Sequence, residues 1–523
     1  MRSTRPYPSS TKVERCAAFV RQLSVNPLVN KLRTESTRHG SQRVFTLVMK
    51  IAILMTATVG EARSAETTAP RNVIMIVVDD LGWADLGCYG SSYFRTPHLD
   101  QLATEGLQFT NAYAAAPVCS PTRAAILTGK SPARLDMTIW HEGAVGDGPQ
   151  DRPLLQAISQ PNLSLHEVTI AEMFRQQGYR TAHIGKWHLG TAAYYPENQG
   201  FEYSIGGTFW GAPSTFFYPF AGRWSARNKS LRYVPDLAPG KPGDYLPDRL
   251  TDKAIEVLKD VKDDPFFLSL WYYTVHSPIE APSDLVESNR RRTPGAHQKD
   301  PTYAAMVERM DHNVGRVLQT LDEYGLSENT VVIMTSDNGG VDFPVRGILP
   351  TSNHPLRSGK GTLYEGGIRV PLIVRWPGRT QANTKSHAPV ISQDFLPTFA
   401  EAFDLEVANP DTLDGVSLLK HLSEFAKPIE ARNLYWHFPH YYTRNTPCSA
   451  IRHEQWKLLY FYETGEVELY DLKRDLGERR DQSATAAERA EYLLAELQRW
   501  HGEIGANAPV INPNYDATPE PAK

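Results

Sequence analysis

Three stretches of the chain are apolar at nearly every position, with neither the alternation of a half-exposed strand nor the spacing of a surface helix. They are Asn72-Val73-Ile74-Met75-Ile76-Val77-Val78, Phe266-Phe267-Leu268-Ser269-Leu270-Trp271 and Val331-Val332-Ile333-Met334-Thr335. Runs of this length, rich in β-branched residues, predict strands buried on both faces of a parallel sheet. Each gives way to polar residues: Asp79-Asp80-Leu81-Gly82, His276-Ser277-Pro278 and Ser336-Asp337-Asn338-Gly339-Gly340. Helical spacing appears between them, over 250–259 and 303–324. Strands alternating with helices predict an α/β fold, a large mixed, mostly parallel sheet flanked by helices. In open sheets of this kind ligands bind beyond the carboxyl ends of the strands, where these polar groups fall.

Past about Leu418 the pattern shortens and becomes aromatic. Asn433-Leu434-Tyr435-Trp436-His437, Lys457-Leu458-Leu459-Tyr460-Phe461-Tyr462 and Val467-Glu468-Leu469-Tyr470-Asp471 predict strands, the last two joined by a turn at Thr464-Gly465. Leu493, Leu494, Leu497 and Trp500 then fall on one face of a helix over 486–504. This predicts a smaller C-terminal α+β domain with an antiparallel sheet. The expected organisation is a main domain over 70–420, a smaller one over 421–508 and a loose tail over 509–523.

The N-terminal segment reads differently. Met49-Lys50 precedes the apolar run Ile51-Ala52-Ile53-Leu54-Met55-Thr56-Ala57-Thr58-Val59, and Ala62-Arg63-Ser64-Ala65 offers the small residues of a cleavage site. Residues 49–65 are therefore expected to be a signal peptide, too short for a membrane span. Residues 1–48 are polar and basic. Either Met49 is the true start, which the signal shape favours, or the region before the signal is long. The mature chain is expected to be exported, periplasmic or secreted, without a membrane anchor, since no cysteine stands at the cleavage point.

Composition narrows the partners. Hydrophobic content of 41% and charged content of 22% are ordinary for a soluble globular chain. A net charge of −4 gives no footprint for nucleic acid or an anionic surface. Cys16, Cys88, Cys119 and Cys448 make no disulfide framework, and no pair has metal-ligand spacing.

The chemistry sits in the loops after the strands. Asp79, Asp80, Asp337 and Asn338 are hard oxygen donors at one sheet edge, a set suited to calcium or magnesium and not to zinc or copper. Either pair alone could equally be turn or helix-cap chemistry; two pairs, each after a buried strand, point to a metal.

A further segment is sharper: Pro117-Val118-Cys119-Ser120-Pro121-Thr122-Arg123-Ala124-Ala125-Ile126-Leu127-Thr128-Gly129. It resembles the signature of the type I, formylglycine-dependent sulfatases, arylsulfatase-like members of the alkaline-phosphatase-like superfamily. Gly178-Tyr179-Arg180-Thr181-Ala182-His183-Ile184-Gly185-Lys186-Trp187-His188 resembles the family's second signature. Ser358-Gly359-Lys360-Gly361-Thr362 looks like its lysine segment, with serine where glycine is usual before Gly359. The resemblance spans roughly 71–478. It implies a sulfuric ester hydrolase with one calcium ion, held by Asp79, Asp80, Asp337, Asn338 and the residue made from Cys119. Cys119 would become formylglycine through a separate formylglycine-generating enzyme. Arg123 would hold that group, Lys186, His188 and Lys360 would line the sulfate site, and His276 would protonate the leaving oxygen. The hydrated aldehyde would attack sulfur, and His188 would take the proton that lets sulfate leave. A Ser or Thr often completes the site, but 206–214 does not match cleanly enough to name it.

A sulfated small molecule or carbohydrate is the expected substrate, with galactose or N-acetylgalactosamine sulfates suggested by Tyr435-Trp436-His437-Phe438-Pro439-His440-Tyr441-Tyr442. Two alternatives stand beside this. A phosphate-ester or phosphonate hydrolase of the superfamily would share the metal-bearing edge, although most such phosphatases add zinc ligands that Asp337-Asn338 lacks. A non-catalytic carbohydrate-binding relative would have lost a motif residue, and none is lost.

Overall fold

The computed structural model describes residues 70–224, 230–424 and 427–516. The predicted extension over 1–48 and signal peptide over 49–65 lie outside the described residues. The main sheet uses β1 (Asn72–Val78), β2 (Leu107–Tyr113), β3 (Arg180–Gly185), β4 (Tyr203–Ile205), β5 (Phe266–Tyr272), β6 (Thr330–Ser336), β7 (Arg369–Arg375), β8 (Thr384–Ser386) and β9 (Val390–Ile391). Their order is β8-β2-β7-β6-β1-β5-β3-β4, with β9 beside β2. β1 pairs in parallel with β5 and β6, β3 pairs in parallel with β5, and β7 runs against both its neighbours.

β1 shows why its sequence lacks alternation. Ile74, Ile76 and Val78 enter a core with the helices Leu246–Val261 and Pro301–Glu323. Val73, Met75 and Val77 enter a second core with Ala124, Ile126 and Leu127 of the helix Cys119–Thr128 and with Phe395, Leu396 and Phe399. A strand covered by helices on both faces has no solvent side to mark with polar residues.

The smaller sheet is antiparallel, β10 (Asn433–Phe438), β11 (Cys448–His453), β12 (Trp456–Phe461) and β13 (Val467–Asp471) in sequential order. Leu434, Trp436 and Phe438 pack towards Tyr113, Val118 and Leu363 of the larger layer. Ile451, Leu458 and Leu469 pack on Leu493, Leu497 and Trp500 of the helix Ala487–Ile504. Lys457, fully buried, adds ion pairs to Glu365 (3.0 Å) and Glu478 (2.9 Å) between the layers. Both sheets lie within one compact unit. The expectation of a loose tail fails at its start. Val510–Ile511 pairs with Leu154–Leu155, and Asn512 Nδ2 donates to the carbonyls of Gln150 and Arg152. Residues 517–523 lie outside the described residues. No described helix is long and apolar enough to cross a membrane.

Candidate active site

β6, β1, β5 and β3 are consecutive and parallel, so their carboxyl ends open side by side. β1 delivers Asp79 and Asp80, β6 Asp337 and Asn338, β3 Lys186 and His188, and β5 His276. Cys119 starts the helix Cys119–Thr128, whose N-terminus brings the positive end of the helix dipole to the same edge. Arg123 lies one turn further along the same helix face. These residues therefore meet at this edge, and Lys360, from the loop before Arg369–Arg375, joins them through Asp80 and Cys119.

Ion pairs bind them together. Arg123 Nη2 lies 2.8 Å from Asp337 Oδ2, and its Nη1 donates to the Lys186 carbonyl (2.8 Å). Lys186 Nζ reaches Asp79 Oδ2 at 2.6 Å, and Lys360 Nζ reaches Asp80 Oδ1 at 2.5 Å and Cys119 Sγ at 3.6 Å. Asp80 takes a positive φ of 60°, and its amide donates to Asp337 Oδ1 (3.2 Å). Asn338 Nδ2 donates to Asp80 Oδ1 (2.8 Å). His276 Nδ1 faces the Ser277 carbonyl at 2.8 Å, which leaves Nε2 towards Asp80 Oδ2 at 3.6 Å.

Burial sets the protonation of these groups. It pushes Asp79 well above the ordinary carboxylate range, against Lys186. Burial acts in the same direction on Asp80, yet Lys360, His276 and Lys186 together hold it below that range. The Cys119 thiol is pushed up to about 12 by burial, which Lys186 and Lys360 only partly offset. A thiol held so high is a poor nucleophile at neutral pH.

The donor set fits a hard cation. Ligand atoms of Asp79, Cys119 and Asp337 lie within 4.8 Å of one another, as do those of Asp80, Cys119 and His276. Asp79 Oδ1 and Asn338 Oδ1 are buried with no hydrogen-bond partner among the described residues. Buried oxygens are rarely left so, and a cation would satisfy both.

Above Cys119 lies a cavity of about 170 Å³, lined by Cys119, His188, His276 and Lys360 and also by Trp140, Glu142, Arg232 and Tyr442. Trp140, Glu142 and Arg232 escaped the sequence reading, whereas Tyr442 ends the aromatic segment that suggested a sugar substrate. Glu142 Oε2 is 2.7 Å from His188 Nε2, and its other oxygen meets Arg232 Nη2 at 3.2 Å. The Arg232 guanidinium stands 3.9 Å from the Trp224 ring centroid and 4.9 Å from that of Trp210. Burial lowers His188 to about 4, against the pull of Glu142. The unassigned segment over 206–214 lies against the same histidine: the Thr208 carbonyl accepts from His188 N (2.9 Å). A Cβ on Gly211 would stand 2.4 Å from His188 Cε1, so only glycine admits the ring there.

The family model described as Sulfatase matches residues 71–405. The chain belongs to the sulfatase family. A second model, N-sulphoglucosamine sulphohydrolase, C-terminal, matches residues 358–500, from the lysine segment through the smaller sheet and most of its helix. A Formosa agariphila protein named Sulfatase is 31% identical over 92% of this chain and 97% of its own length. Human arylsulfatase A is 33% identical over 86% of this chain and 85% of its own. The solved structure of Ps i-CgsB in complex with k-i-k-neocarrahexaose superposes with a TM-score of 0.68 at 26% identity, covering 86% of this chain and 96% of that one. A phosphonate monoester hydrolase from Agrobacterium radiobacter, at 20% identity and a TM-score of 0.59, shares the fold. This sulfatase is an enzyme that hydrolyses sulfate esters, of the type I family in the alkaline-phosphatase-like superfamily.

Proposed function

We propose that this sulfatase is an exported hydrolase of sulfated carbohydrates that works with one calcium ion and with a formylglycine made from Cys119 by a separate maturation enzyme. The supporting observation is the meeting of three carboxylates and an amide oxygen with Cys119 at one sheet edge, two of the oxygens being buried without a hydrogen-bond partner among the described residues. Asp79, Asp80, Asp337 and Asn338 would hold the cation, which when bound supplies Lewis-acid activation beside position 119. Formylglycine in its hydrated form supplies the oxygen nucleophile that a high-pKa thiol does not.

The remaining side chains divide the work. Lys186 and Lys360, within ion-pair reach of Asp79 and Asp80, offset the charge of the sulfuryl oxygens in the transition state. Arg123, locked between Asp337 and the Lys186 carbonyl, orients position 119. His276 turns Nε2 towards the site and donates the proton that the leaving alcohol needs. His188 accepts the proton released as sulfate departs.

Carbohydrate as substrate draws support from relatives. N-acetylgalactosamine-6-sulfatase from dog is 31% identical over 71% of this chain, and Ps i-CgsB was solved with a neocarrahexaose. Mass spectrometry of the peptide around position 119, with sulfate release from a panel of sulfated sugars, tests the reading. An unmodified cysteine in a fully active enzyme defeats it.

A further inference from the structure

The cavity over Cys119, at about 170 Å³, is smaller than the ~300–1,000 Å³ of sites that enclose a whole ligand. It accommodates the sulfated end of a substrate, and anything longer has to leave past its wall. Tyr442 is part of that wall. Its ring rests on Gly361, next to Lys360, where a Cβ would come within 2.0 Å of it, and edge-on to Trp140 at 5.4 Å. On its other side Tyr442 lines a second, open cavity of about 550 Å³ with Tyr441, Tyr364, Phe461, Arg152 and Arg444.

That groove is amphipathic in a particular way. Tyr441 carries the Arg152 guanidinium 5.7 Å from its ring centroid. The Tyr441 hydroxyl accepts from Leu154 N (3.2 Å) and lies 3.2 Å from Glu463 Oε1, which fixes the ring. Asn512 holds the backbone at Arg152, so the loop is set before any ligand arrives. Arg444 is balanced by Asp342 at 3.1 Å, whereas the acid near Arg152, Asp151, stands 3.9 Å away and is strongly exposed. Aromatic faces suit the C–H faces of a sugar ring, and an exposed guanidinium suits a sulfate or carboxylate on it.

We infer that this groove is a subsite for the sugar unit next to the one desulfated, that the unit is anionic, and that the enzyme prefers sulfated oligosaccharides to monosaccharide sulfates. The inference rests on the carbohydrate reading and names the part of the molecule that recognises the chain. Tyr441 and Phe461 contribute apolar surface, and Arg152 the charge contact.

The test measures sulfate release by the full-length enzyme from p-nitrophenyl sulfate and from carrageenan, chondroitin sulfate and heparin fragments. Each fragment class is supplied as the shortest sulfated unit and as a tetrasaccharide. In the class cleaved, the tetrasaccharide should have the higher kcat/KM. Tyr441→Ala and Arg152→Ala should each lower that advantage by about tenfold, through KM, a change equal to one decade in affinity. The Arg152→Ala loss should shrink at high salt and the Tyr441→Ala loss should not. Tyr441→Phe keeps the ring and should keep the preference, which separates lost stacking from misfolding. Equal kcat/KM for short and long fragments, or a preference untouched by both alanine variants, overturns the subsite and leaves the carbohydrate reading standing. Turnover of p-nitrophenyl sulfate with no release from any saccharide overturns both.

Discussion

Glu142 Oε2 stands 2.7 Å from His188 Nε2, while His188 Nδ1 is buried without a partner among the described residues. A carboxylate on Nε2 favours the tautomer with its proton there, leaving the Nδ1 lone pair free to accept one. Arg232 holds the other oxygen of Glu142, so the acid is itself positioned. Glu142→Gln can still accept from Nε2–H but loses the charge. It should lower kcat by about tenfold, a fraction of the 10²–10⁴ that proton transfer commonly supplies. Because Glu142 raises a His188 pKa that burial lowers to about 4, losing its charge should move the acid limb of kcat to lower pH. A pH–rate profile of purified Glu142→Gln checks both; an unchanged profile removes Glu142 from the reaction.

Cys119→Ala should abolish sulfate release and leave the melting temperature near that of the parent. The side chain is small and its polar neighbour, Lys360, keeps its ion pair to Asp80. Sulfate assay and thermal melting of the same preparation decide this, and turnover in a folded Cys119→Ala enzyme would exclude position 119 as the source of the nucleophile.

Calcium dependence can be separated from lost packing by the choice of residue. Asp337→Ala removes the nearer of the two carboxylates paired with the buried Arg123, Asp79 Oδ1 being 3.9 Å away, and breaking such a pair costs about 3–5 kcal/mol whatever the metal does. Asn338→Ala removes an oxygen with no hydrogen-bond partner among the described residues and two hydrogen bonds, to Asp80 and to the Gly339 carbonyl, without leaving a charge unpaired by its own loss. Added calcium should raise the melting temperature of the parent by mass action, and this rise should fall or vanish in Asn338→Ala together with activity. An equal calcium-induced rise in both proteins would place the ion elsewhere.

How much of this was legible in the chain depends on whether a residue's role is local. β1, β5 and β6 announce themselves because burial on both faces demands continuous apolar runs, and Asp79 and Asp337 follow them directly. β11 went unpredicted: Cys448-Ser449-Ala450-Ile451-Arg452-His453 mixes polar residues into a strand whose place is set by its two neighbours. Glu142 and Arg232 lie in segments without a motif, and only the tertiary fold brings them to His188, 46 residues from Glu142. The tail at Val510–Ile511 was hidden for the same reason, since its partner lies at Leu154–Leu155.

Stability should depend on the junction between the two layers. Lys457 of β12 is buried between Glu365 and Glu478. Lys457→Met keeps the volume but leaves the two acids facing one another, and should cost about 3–5 kcal/mol. Denaturant unfolding of the parent and variant measures it. A loss below about 1 kcal/mol, the range of surface pairs, would mean that the cluster is not a buried ionic junction.

The last prediction separates the two histidines by what the leaving group needs. A nitrophenolate departs readily without a proton, whereas a sugar alkoxide does not. His276 Nδ1 is occupied by the Ser277 carbonyl, so its Nε2 is the nitrogen available to the leaving oxygen. His276→Ala should therefore damage hydrolysis of a sugar sulfate far more than that of p-nitrophenyl sulfate, with help on the order of 10²–10⁴-fold at stake. His188, held by Glu142 in the wall of the same cavity, is assigned to the step after the alcohol has gone. His188→Ala should slow both substrates to a similar limit, and rapid mixing with p-nitrophenyl sulfate should show a burst of nitrophenol before the slow steady state. Equal losses on both substrates in His276→Ala, with no burst in His188→Ala, would mean that neither histidine has the role given to it here.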